Sequence, residues 1–67
     1  PHIVVTEQGI ELSELAPGIH IELCSMSGIS VASTESDGTG YAEIPTILLP
    51  QGVYLLLRAD WCERLLL

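Results

Sequence analysis

Turn-forming residues interrupt this chain about every ten positions or sooner: Gly9, Pro17-Gly18, Ser27-Gly28, Asp37-Gly38 with Gly40, Pro45, and Pro50 with Gly52. Glycine reaches backbone conformations closed to other residues, and proline can neither donate to a ladder nor continue a helix. No regular element longer than these intervals fits between the breaks, which squeezes out helices of ordinary length. The runs between them are rich in Ile, Val, Leu and Thr and read as short strands. The rhythm therefore predicts an all-β sandwich.

Strand by strand, His2 to Thr6 and Ile10 to Leu12 open the chain. From Ile19 the alternation is clean, with Ile19, Ile21 and Leu23 facing one way and His20, Glu22 and Cys24 the other, as a sheet with one wet face requires. After Ser25-Met26-Ser27-Gly28 the alternation resumes with Ile29 and Val31 against Ser30 and Ala32, so the two runs predict a hairpin. Tyr41 to Ile47 is a further strand that ends near Pro45. Val53 to Arg58 is almost continuously apolar, which predicts a central strand buried on both faces. Trp61 to Leu67 is the last strand. Its alternative is a helical turn over Ala59 to Leu67, but nine residues capped only by Asp60 make a marginal helix.

A length of 67 residues allows one core and one domain, spanning 1–67, of limited stability by itself. Such a chain reads as part of a longer protein. Nine carboxylates face two arginines with no lysine, for a net charge of −7. That balance repels phosphate backbones and anionic lipid headgroups, so it predicts no nucleic-acid partner. No basic leader precedes an apolar run, no apolar stretch is long enough to span a bilayer as a helix, and there is no asparagine to glycosylate.

Little in the chain supports catalysis. Ser36 to Gly40 resembles a calcium loop, but only Glu35 and Asp37 supply carboxylates there, too few for a hard cation that takes about six oxygens or more. His2 and His20 have no ligand-spaced neighbours, and His20 alternates with Glu22 on the wet face, where a carboxylate-paired imidazole is expected. The serines sit in or beside turns, where hydroxyls bond local backbone. Cys24 and Cys62 could close a long disulfide loop, yet they read as outward-facing residues of different sheets and so as two free thiols. The expectation is a protein that is not an enzyme and carries no cofactor or metal.

Taken in order, Ile19-His20-Ile21-Glu22-Leu23, the turn Ser25 to Gly28, the strand Ile29 to Ser33, and Leu49-Pro50-Gln51-Gly52-Val53-Tyr54-Leu55-Leu56 resemble the C-terminal sorting domain of the type IX secretion system of Gram-negative bacteria. The likeness covers roughly residues 15 to 67, and its most specific part is the Gly52-Val53-Tyr54-Leu55 run followed shortly by an apolar chain end. It implies an immunoglobulin-like antiparallel sandwich of about seven short strands that directs an upstream cargo domain across the outer membrane. The partners it implies are the translocon or the surface-attachment machinery, with the protein periplasmic in transit and then at the cell surface or secreted. The residues that carry the motif are Gly28, Gly52, Val53, Tyr54, Leu55, Arg64, Leu65, Leu66 and Leu67. Two features depart from the family pattern: Arg64 is the only basic residue near the end, and Ile29 follows Gly28 where a basic residue is usual.

The alternative is a prealbumin-like structural module of a surface adhesin, which Gly18 to Leu23 and the later Asp37-Gly38 with Pro50-x-Gly52-x-Tyr54 also resemble. Self-locking modules of that kind join lysine to asparagine, and this chain has neither residue. The apolar Leu65-Leu66-Leu67 end also suggests an edge strand able to pair with a partner sheet or a second copy.

Overall fold

The computed structural model describes residues 2–67, all β and turn. Seven strands follow in order: β1 His2–Val5, β2 Gly9–Ser13, β3 His20–Ser25, β4 Ser30–Glu35, β5 Ala42–Pro45, β6 Val53–Arg58 and β7 Trp61–Leu66. They form two antiparallel sheets, one ordered β1-β2-β5 and the other β4-β3-β6-β7. The chain changes sheet after β2, β4 and β5, which makes an immunoglobulin-like sandwich. In the constant-type arrangement the fourth strand joins the first sheet, whereas here β4 pairs with β3.

Alternation explains which side chains meet between the sheets. Ile10 and Leu12 of β2 with Ala42 and Ile44 of β5 face Ile21 and Leu23 of β3, Tyr54 and Leu56 of β6, and Leu65 of β7. Aliphatic side chains fill nearly all of this core because the chain has no phenylalanine.

Backbone contacts close the end of the sandwich near β1's start. Gly40 has φ 80°, and a Cβ there would collide with the Leu15 carbonyl, while the Leu15 amide donates to Gly40 O at 3.1 Å. Only glycine satisfies both the conformation and the approach. Nearby the buried Ser36 hydroxyl donates to Ala16 O at 2.6 Å and accepts from the Ile19 amide at 2.7 Å, which pins the β2–β3 connection to the end of β4.

Two expectations are corrected. β6 does lie between β3 and β7, but only Tyr54 and Leu56 are buried; Val53 is 41% exposed and Leu55 and Leu57 are half-covered. The apolar run therefore serves one core-facing row and one uncovered outer row. Cys24 and Cys62 lie on the same sheet, not different ones, and on the same outer face with β6 between them. Two strand spacings of about 4.8 Å each put them beyond disulfide reach, and both are free thiols. Cys24 is also buried, at the irregular step where β4 shifts register between Leu23 and Cys24. The last strand forms where it is expected: residues 61–66 are a strand and not the alternative helical turn, because six backbone partners on β6 stabilise it where a helix would have only itself.

Candidate recognition surface

Antiparallel pairing of β6 with β7 brings eight of the nine motif residues together. Val53 lies opposite Leu66, Tyr54 opposite Leu65 and Leu55 opposite Arg64. Gly52 and Leu67 extend the ladder through two backbone bonds, Gly52 N to Leu67 O at 3.1 Å and Leu67 N to Gly52 O at 2.8 Å. Gly28 stands apart in sequence but at the same end of the sheet: its turn leaves β3 at Ser25, which pairs with Tyr54. There its φ of 87° lets its amide close the turn onto Ser25 O at 2.9 Å.

The pleat then splits these residues by role. Tyr54 and Leu65 point inward and are buried. The Tyr54 hydroxyl donates to Pro50 O at 2.7 Å, a tyrosine corner that ties the start of β6 to the loop before it. Its part in the motif is accordingly structural. A tyrosine four residues after the proline that leads into a strand was the available signal for this bond, and reading the sequence for apolar runs alone passes over it.

Val53, Leu55, Arg64 and Leu66 point outward. Leu66 is 75% exposed, and no carboxylate among the described residues lies within ion-pair reach of Arg64. Together with Leu57 they make an apolar strip with a single cation on the uncovered face of the four-stranded sheet. Leu67 is only partly buried and packs against the edge of the core.

The chain matches no protein-family model, no curated protein and no solved structure.

Groups with chemical potential elsewhere on the molecule are engaged locally. Asp37 Oδ1 accepts from the Thr39 hydroxyl at 2.6 Å and from the amides of Thr39 and Tyr41 at 2.8 and 3.1 Å, and these bonds hold its carboxyl below the usual range. A carboxylate occupied in this way is a turn residue. His20 Nε2 lies 3.1 Å from Glu22 Oε1, and that imidazole is the main reason the Glu22 carboxyl titrates low. Arg58 grips Asp60 with two bonds at 2.6 and 2.9 Å, lowers its pKa, and lies 5.2 Å from the centre of the Trp61 ring.

These two pairs flank an open cleft of about 770 Å³ between the β2–β3 connection and the β6–β7 turn, with Ile19 and Leu57 supplying apolar wall. The polar groups around it bond to one another rather than converge on a common point. Among the described residues no three His, Cys, Asp or Glu side chains gather closely enough to hold a metal ion.

Proposed function

We propose that this domain is a non-catalytic sorting module that directs the protein it belongs to across the bacterial outer membrane through the type IX secretion system. One observation carries the reading: the ordered motif from Gly52 to Leu55 and the residues Arg64 to Leu67 lie side by side, and half of them face outward where the core makes no use of them. Burial explains Tyr54 and Leu65; it does not explain Val53, Leu55 and Leu66. An exposed apolar strip carried on a rigid sheet suits recognition in the folded state.

The test is a reporter protein joined ahead of residues 1–67 in a bacterium that has the type IX machinery. The reporter is expected at the cell surface or in the medium, and deletion of Glu63 to Leu67 is expected to hold it in the periplasm. Circular dichroism of the shortened domain separates lost recognition from lost folding, since that deletion also removes Leu65 from the core. If the intact domain leaves the reporter periplasmic while an established sorting domain exports it, the adhesin-module alternative replaces this reading.

A further inference from the structure

Among the described residues ten large apolar side chains are exposed, and all but Tyr41 lie at one end of the sandwich, in a connection or within two strand residues of one. That end comprises the β1–β2 turn, the β3–β4 turn, the β5–β6 loop and residue 67. Thr46 N bonds Gln8 O at 3.1 Å, Val53 pairs with Leu66 and Ser25 pairs with Tyr54, which places these pieces at one end. Met26, Ile29, Ile47 and Leu48 crown it, with Ile47 72% and Leu48 94% exposed. Single exposed apolar residues are ordinary on protein surfaces, but a collection confined to one end is not.

Charge is distributed in the opposite sense. Of the nine carboxylates only Glu7 sits in these connections; Glu14, Asp37 and Asp60 occupy the far end and the others lie along the strands. The apolar surface also continues from the tip down the outer sheet face through Val53 and Leu66 to Leu55.

These features select among occupants. A second copy would bring −7 against −7. A bilayer usually engages lysine, arginine, tryptophan or tyrosine at its interface, and this tip has none in its connections; a flat membrane touching Leu48 would also miss the strip on the side. A protein partner with a concave apolar site meets both tip and strip, and basic residues around its rim would face the acidic flanks. We infer that this end of the sandwich is a docking surface for a protein whose site is an apolar cup rimmed by lysine or arginine. Inside the cell the inference rests on the sorting proposal, to which it adds a surface and a partner chemistry.

The experiment needs no secretion apparatus. The isotope-labelled domain is titrated by NMR with a synthetic leucine/lysine amphipathic peptide, with a leucine/glutamate peptide and with phosphatidylcholine vesicles. Saturable shifts from the leucine/lysine peptide are expected at Met26, Ile29, Ile47, Leu48 and Leu66. The double substitution Ile47→Ser, Leu48→Ser is expected to weaken that binding about tenfold or more, with Tyr41→Ser neutral. Added salt is expected to weaken it as well.

Shifts centred on the far end, absence of saturable binding, equal binding of the acidic peptide, vesicle binding through the tip, or tip-mediated dimerisation at neutral pH would each overturn the inference. Tip binding without reporter export sinks only the sorting proposal. Export that survives in a domain whose tip binds nothing sinks only this inference.

Discussion

Three residues decide local geometry, and each can be tested by a single substitution. Tyr54→Phe keeps the buried ring and deletes the bond to Pro50 O, so it is expected to cost about 1 kcal/mol in urea unfolding. Gly18 and Gly40 offer a controlled comparison, since both have positive φ, but a Cβ at Gly18 meets open space while one at Gly40 meets the Leu15 backbone. Gly18→Ala is expected to cost about 1 kcal/mol for conformation alone, and Gly40→Ala distinctly more. Equal costs would show that the Leu15 contact contributes nothing. Acid sensitivity belongs to this scale too. Glu22, Asp37 and Asp60 all titrate below the usual carboxylate range in the folded chain, so their stabilisation is complete above the unfolded-state pKa and is lost as pH falls through the lower folded values. Thermal unfolding followed from neutral to strongly acidic pH is expected to show stability declining below the ordinary carboxylate range, with a smaller decline in Asp37→Asn.

At the scale of strands, β7 holds the most informative contrast. Leu65 is 8% exposed and Leu66 75%, on adjacent positions of one strand. Leu65→Ala is expected to cost about 2 kcal/mol or more, and Leu66→Ser within about 0.5 kcal/mol of nothing, by denaturant midpoint. The same alternation shows why much of the fold was legible in the sequence. In β3 each position announces its face, and the turn residues mark the hairpin that follows, so strand positions are recovered within a residue or two. β6 departs from the sequence expectation for a physical reason: a run apolar on both faces looks alike whether its second face meets another layer or is left open. Composition carries no information about what lies above a sheet. Tyr41 fell outside β5 for a related reason, since its amide is taken by the Asp37 carboxylate and not by a strand.

For the whole molecule, the two ends differ in character: an acidic end holding the Arg58–Asp60 pair and an apolar end holding Leu48 and Leu66. Sequence could not display this polarity, because Met26, Ile29, Ile47 and Leu48 come from two separate connections that share one end only when the sheets stack. Charge then governs behaviour in solution. Near the isoelectric point of about 4.3 the repulsion that keeps the apolar ends apart vanishes. Light scattering is expected to peak near that pH and to fall in the double variant Ile47→Ser, Leu48→Ser.

Under the sorting proposal, the outward-facing motif residues are read by an export machinery. The direct measurement is the fraction of reporter outside the cell for the intact domain and for Val53→Ser with Leu66→Ser, two exposed changes that leave Tyr54 and Leu65 in the core. Export by the intact domain and its loss in a variant whose circular dichroism and melting temperature match the parent is the predicted result; export undiminished in that folded variant would contradict it.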